Sequence, residues 1–221
     1  MKEAAKRLLA HKANKKSPIT VDHLKKLYKN IIEENFSLQN LLTMVICLLG
    51  FSGFMRYSKI SNLKMCDIKF FDTHMKLFIE KSKTDMYREG NWIFISKIDS
   101  YLCPVKELKL YLDKLNLEED EFIFRAITKS KNGEYLRKQN KPLSYSRMRE
   151  ILLLELKNVG LDEKQFGLHS LRSGGASAAA NAGVPDRLFK RHGRWKSERA
   201  KDGYIQDNLL ALLSVSRSLG F

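Results

Sequence analysis

The sequence predicts a mainly helical α+β domain with one small antiparallel sheet, and three observations carry that prediction. Apolar residues recur at helical spacing through most of the chain, as at Leu24, Leu27, Tyr28, Ile31 and Ile32. Two β-rich runs, residues 75–80 and 92–95, interrupt that period across a polar stretch, 81–90, the pattern of a hairpin with a long turn. The chain is 221 residues long and 43% apolar, enough to bury one full core.

Taken in order, residues 1–16 carry Lys2, Lys6, Arg7, Lys12, Lys15 and Lys16 against one acid, Glu3, and read as part of a basic linker, assigned to 1–19. Ser17-Pro18 marks a break. Thr20 then supplies an N-cap, with Asp22 in the first turn of an amphipathic helix. A second helix over about 38–54, with Ser37 as its cap, is apolar nearly all round and so belongs at the centre of the core. Its most apolar part, 41–55, is shorter than the ~20 residues a bilayer requires, which argues against a membrane span. After the hairpin, Cys103-Pro104 opens a helix with Val105, Leu108, Tyr111, Leu112 and Leu115 on one face. Residues 128–141 read as a basic loop (Lys129, Lys131, Arg137, Lys138, Lys141), followed by a helix over 144–159. Three helices are expected from His169 onward, the last through the apolar stretch 209–215. There is no internal repeat, and residues 20–221 read as one domain.

Forty Lys and Arg against 25 Asp and Glu leave a net charge of +15, which points to a polyanionic partner. Cys47, Cys66 and Cys103 have neither metal-site spacing nor an even count, and read as reduced intracellular thiols. No Gly-rich phosphate loop, H-E-x-x-H or G-x-S-x-G occurs, which removes support for those nucleotide hydrolases, zinc proteases and esterases.

What remains is a set of cationic and hydrogen-bonding residues in polar joints. Arg56 follows the apolar helix in Gly-Phe-Met-Arg-Tyr-Ser, and Lys83 sits in the hairpin turn. His169 and Arg172, in His-Ser-Leu-Arg-Ser-Gly-Gly, share a helix face. Trp195 and Tyr204 close the series in Gly-Arg-Trp-Lys-Ser-Glu-Arg-Ala-Lys-Asp-Gly-Tyr. In this order, over about residues 20–215, the chain resembles the catalytic domain of the tyrosine site-specific recombinases, the Cre, phage integrase and Xer group. Arg56 matches the first-arginine box, Lys83 the hairpin lysine, His169 and Arg172 the His-x-x-Arg box, Trp195 the His-or-Trp position and Tyr204 the nucleophile. The turn Ser-Lys-Thr-Asp-x-x-Arg-x-Gly and Gly-Arg-Trp-Lys-Ser are closer to the eukaryotic Crypton- and DIRS-like mobile-element branch.

The resemblance implies DNA strand cleavage and rejoining through a 3′-phosphotyrosyl intermediate, with no metal, ATP or other cofactor. Two arginines would present bidentate forks to the non-bridging phosphate oxygens, His169 would act as general base or phosphate ligand, and Lys83 would protonate the leaving 5′-oxygen. Trp195 would donate its indole N–H, and Tyr204, a poor nucleophile as a neutral phenol, would need that help to attack. Lys59 departs from the pattern, because the family box carries an acid there; it adds like charge beside Arg56. Residues 1–19 would be the remnant of an N-terminal core-binding domain. Arg187, Lys190, Arg191, His192, Arg194, Lys196 and Arg199, clustered near the nucleophile, are expected to contact DNA. Double-stranded DNA is the expected partner. The last helix, with Leu209, Leu210, Leu212, Leu213 and Val215, either closes its own core or docks into a neighbour to build a dimer or tetramer. The work would be intracellular, nuclear in a eukaryote and otherwise cytoplasmic or at the nucleoid. Two rival readings stay open: a decayed recombinase that only binds DNA, for which Lys59 speaks, and a type IB topoisomerase.

Overall fold

The computed structural model describes residues 16–80, 90–131 and 133–218. Helix α1 (Val21–Tyr28) begins where the Thr20 hydroxyl accepts the His23 amide at 3.2 Å and His23 Nδ1 accepts the Thr20 amide at 3.3 Å. It continues through a wider π-turn at Lys29–Glu34 and buries Leu24, Leu27 and Ile31. Helix α2 (Leu38–Ser52) is capped by Ser37, whose hydroxyl accepts the Asn40 amide at 3.1 Å. Every residue from Leu41 to Gly50 is buried, so α2 is the axis of the core, as its all-round apolar pattern predicts.

Short helix α3 (Tyr57–Ile60) leads to the sheet: β1 (Ile68–Phe70), β2 (His74–Ile79) and β3 (Asn91–Ser96), antiparallel in the order β1-β2-β3. Leu77 faces Ile93 and Met75 faces Ile95 across β2 and β3, and all four side chains are buried. The expected hairpin is therefore present, with β1 as an added strand whose three residues are too few to show a period. Its turn, 81–89, lies outside the described residues, and Lys83 with it.

Helix α4 (Pro104–Asp113) starts at the expected proline and packs on α2. The stretch expected to be a basic loop instead holds a second hairpin, β4 (Ile127–Ser130) and β5 (Gly133–Leu136). Gly133 turns it at φ +119°, and the Lys129–Glu134 pair at 2.9 Å ties the strands together. Its polar side chains hid the β pattern. Helix α5 (Tyr145–Asn158) is capped by Ser144. Among the described residues from His169 onward there are four helices rather than three: α6 (His169–Asn181), α7 (Asp186–Gly193), α8 (Glu198–Asp202) and α9 (Leu209–Arg217). The extra one, α8, has five residues and starts from a Ser197 cap; a single turn is too short to read as a period.

Two features position the site. Residues 17–19, assigned above to the linker, pack on the start of α6. The Ser17 amide donates to the Gln165 carbonyl at 2.8 Å, the Ile19 amide to the Ser170 carbonyl at 2.9 Å, and the Ile19 side chain is fully buried. Helix α6 also presses on the end of α2 so closely that a Cβ on Gly175 would lie 1.9 Å from the Phe51 carbonyl oxygen. Only glycine permits that approach, and it brings Arg172 beneath the turn that leaves α2.

Candidate active site

A helix ends with unpartnered carbonyls, and those closing α2 find unusual donors. His192 Nε2 donates to the Ser52 carbonyl at 2.8 Å. Both Nη atoms of Arg194 reach the Gly53 carbonyl at 3.2 Å, and its Nη2 reaches that of Phe54 at 2.9 Å. Arg172 Nη1 donates to the same Phe54 carbonyl, and its Nη2 to that of Gly193 at 2.8 Å. Phe54 sits at φ +45° and Arg194 at φ +56°, left-handed conformations that cost a non-glycine residue about 1–3 kcal/mol each and persist because the neighbourhood enforces them. Two residues after Phe54, Arg56 begins α3 with its side chain exposed.

Arg172 is buried, stacked against Trp195 at 4.7 Å and Tyr204 at 4.6 Å from guanidinium carbon to ring centroid. Trp195 is held by Phe189 at 5.1 Å and Phe54 at 6.0 Å, and its ring so fills the space above Gly193 that a Cβ there would lie 1.8 Å from it. The rings of Trp195 and Tyr204 lie 5.7 Å apart. Among the described residues, the buried donors Arg172 Nε and Trp195 Nε1 lack a hydrogen-bond partner, as Gln39 Nε2 and Arg125 Nε do elsewhere in the fold. A buried donor without an acceptor costs free energy, so both are suited to an incoming one.

The charges agree. Burial lowers the pKa of His169, and the charges of Arg56 and Arg172 lower it further, which leaves the ring neutral near pH 7. Burial also pulls Arg172 and Arg194 below the usual arginine range, and Arg56 adds to both shifts. Arg56, Arg172 and Arg194 are thus cations gathered around the uncharged rings of His169 and His192, and no carboxylate features among the causes of these shifts. Such a cluster favours an anion. Lys59, the residue out of pattern, does not point away: its ammonium donates to the Glu80 carbonyl at 2.8 Å, at the end of β2. Burial lowers its pKa, Glu80 opposes that, and Arg56 and Arg194 reinforce it.

Five of the six residues singled out from the sequence, Arg56, His169, Arg172, Trp195 and Tyr204, therefore share one neighbourhood, and Lys83 lies outside the described residues. The residues expected to contact DNA divide. Arg187, Arg191, Lys196 and Arg199 are exposed. Lys190 is paired with Glu198, and neighbouring Lys201 bridges Asp186 and Glu198. His192 and Arg194 turn inward onto the end of α2. Sequence reasoning missed that inward grip, because the partners lie about 140 residues apart. Among the described residues, no three His, Cys, Asp or Glu side chains gather where they could hold a metal ion.

A cationic site with an aromatic-stacked arginine, a tyrosine and a histidine, on this helical frame, defines the class. The profile of the phage integrase family matches residues 18–209, and the chain belongs to that family. It is 31% identical over 192 residues to an integrase/recombinase XerD homologue of Selenomonas ruminantium, a match that covers 86% of this chain and 54% of that protein. Among solved structures, the XerH site-specific recombinase in a post-cleavage complex with difH superposes with a TM-score of 0.66 at 14% identity, over 91% of this chain and 53% of that one. The Tn1549 transposon integrase bound to transposon right-end DNA gives 0.65 at 13% identity, over 97% and 70%. A lambda integrase dimer on a core site gives 0.58 at 22% identity, over 92% and 51%. The chain thus spans about half the length of the curated relative it matches.

Proposed function

We propose that this chain cleaves and rejoins double-stranded DNA through a 3′-phosphotyrosyl bond at Tyr204, in site-specific recombination or in transposon integration and excision. The observation that carries the reading is the pair of buried, unpartnered donors, Arg172 Nε and Trp195 Nε1, beside the Tyr204 ring. A scissile phosphate between them would accept both. The Tyr204 oxygen attacks phosphorus, the bond to the 5′-oxygen breaks, and the phosphotyrosyl ester keeps the energy needed for rejoining. Arg56 and Arg172 stabilise the charge that grows on the non-bridging oxygens, and His169, whose pKa burial lowers, is assigned the tyrosine proton by the family pattern. Lys83 is assigned the proton for the leaving oxygen, by the family pattern. Arg187, Arg191, Lys196 and Arg199 are assigned to the flanking phosphates, in the compartment that holds the DNA.

Self-assembly on DNA is part of this reading. The described leucines of α9 are exposed, Leu209 at 69%, Leu210 at 67%, Leu212 at 60% and Leu213 at 37%, while the side chain of Val215 lies outside the described residues. An open apolar groove of about 850 Å³ runs between β3 and the helices α6 and α7. The α9 of a second copy is the occupant that the family assemblies suggest, since lambda integrase is found as a dimer on a core site and as a tetramer on a Holliday junction.

The test is a covalent trap. Wild type and Tyr204→Phe are incubated with nicked duplexes, without added metal, and run on denaturing gels. A slow band in the wild type alone is expected. No band in either, with salt-sensitive DNA binding intact, would sink the enzyme in favour of a binding module. A band on any duplex whatever its sequence would favour the topoisomerase.

A further inference from the structure

The turn that ends α2 is the step from which Arg56 is presented, and what holds that turn is not a helix cap of the ordinary kind. We propose that Arg194 is a positioning residue for Arg56: by gripping the Gly53 and Phe54 carbonyls it fixes where the first phosphate-binding arginine stands. The inference rests on the reading of this site as a DNA transesterase and deepens it.

The geometry carries it. Both Nη atoms of Arg194 are engaged, Nη1 with the carbonyls of Gly53 at 3.2 Å and His192 at 2.8 Å, and Nη2 with those of Gly53 at 3.2 Å and Phe54 at 2.9 Å. The guanidinium therefore faces the protein rather than DNA. Among the described residues, the two non-glycines with positive φ are Phe54 and Arg194, the two ends of this contact. Position 194 is the left-handed C-cap of α7, where glycine is the easy choice. Glycine would relax the backbone but leave the Gly53 carbonyl without its donor, and a lysine offers one ammonium where a planar fork spans two carbonyls. The Phe54 carbonyl is shared with Arg172, so one peptide plane is tied to both Arg172 and Arg194. Only Met55 separates that plane from Arg56. A tilt of the Phe54 peptide therefore moves Arg56 relative to Arg172, and misplacement by about an ångström is worth up to roughly a hundredfold in rate.

Arg194→Gly is the informative substitution, because it keeps the left-handed backbone and removes the guanidinium that makes the grip. The expected result is a single-turnover rate of covalent adduct formation lowered at least about tenfold, with DNA affinity at fixed salt within about twofold of wild type. The loss should vanish in an Arg56→Ala background, since a residue that acts through Arg56 has nothing left to position. A wild-type rate in Arg194→Gly, or a loss that adds in full to that of Arg56→Ala, would overturn the proposal. A second reading does not depend on turnover. In protein with 15N-labelled arginine, the Arg56 side-chain signal, assigned by its loss in Arg56→Lys, should shift in Arg194→Gly while that of distant, ion-paired Arg125 holds. An Arg56 signal that stays in place overturns the proposal even if the wild type forms no adduct. Absence of adduct in the wild type, with the Arg56 signal displaced, strikes the transesterase reading and supports the grip.

Discussion

Around α2 the buried side chains are mostly Leu, Ile, Val and Met, with Cys47, Tyr111 and Phe124 among them, and α1, α4, α5 and α6 pack against it. Around Trp195 the packing is of another kind. Phe54, Ala176, Phe189 and Trp195 form a small separate cluster, and against it lies buried Arg172, with two donors in the neighbourhood left unpaired. The large core stabilises the fold by removing apolar surface from water, at about 25 cal/mol per Å². The small cluster is poorly served by that term, and it holds like charges together. The difference teaches where stability and function separate in this chain: the first region is held mainly by apolar burial, and the second gathers cations and unpaired donors of the kind an anion would satisfy.

The sharpest way to break this comparison is at the small cluster. Tyr204→Phe should abolish the covalent adduct, and Arg172→Ala should lower its rate at least about a thousandfold, roughly 4 kcal/mol. Tyr204→Phe should also melt within a few degrees of wild type, because the ring over Arg172 is kept. Single-turnover cleavage and thermal melting read the two effects apart, and a Tyr204→Phe protein that still forms adduct breaks the assignment.

The opposite substitution comes next. Leu49→Ala in the centre of α2 should cost about 2–5 kcal/mol of unfolding free energy, since the residue is fully buried. Its folded fraction should cleave at close to the wild-type rate. Urea unfolding and adduct formation on the same preparation check this; a specific activity that falls along with stability would deny that the two regions are separable.

A smaller effect is expected for Trp195→Phe. It keeps most of the stacked surface and removes the indole N–H, which has no partner among the described residues. Stability should change little while cleavage drops about tenfold, near 1.4 kcal/mol. Equal losses in both would mean that the indole is only packing.

The mildest prediction concerns pH. His23, His169 and His192 all have pKa values below the usual 6.5, chiefly through burial, so the folded state disfavours their charged forms. Between those lowered values and 6.5 the unfolded chain binds more protons, and stability must rise with pH across that window and fall as pH drops. Melting temperatures taken from pH 7.5 to 6, above the carboxylate range, should decline on acidification. A flat profile would place these rings in water.

Much of this was legible in the sequence, and for local reasons. Thr20 and Ser37 cap their helices as hydroxyl residues before apolar periods do, and α2 was marked as central by having no polar face. The site residues were legible as an ordered series, since each sits in a short polar joint beside an element whose period could be read. The second hairpin, β1 and α8 were not, because three to five residues cannot display a period and Lys129 and Glu134 disguise the β4 and β5 strands.

What the sequence by itself determined was the class of fold, the α2 core and the residue types of the site, because propensity, capping and hydrophobic period act within a few residues of each other. What only the tertiary structure decided was the direction of each cation. Arg187 and Arg191 face solvent, Lys190 is taken by Glu198, Lys59 turns to the end of β2, and His192 and Arg194 grip the end of α2. A polar head group's role depends on which carbonyl or carboxylate the fold brings to it, and these partners arrive from as far as 141 residues away.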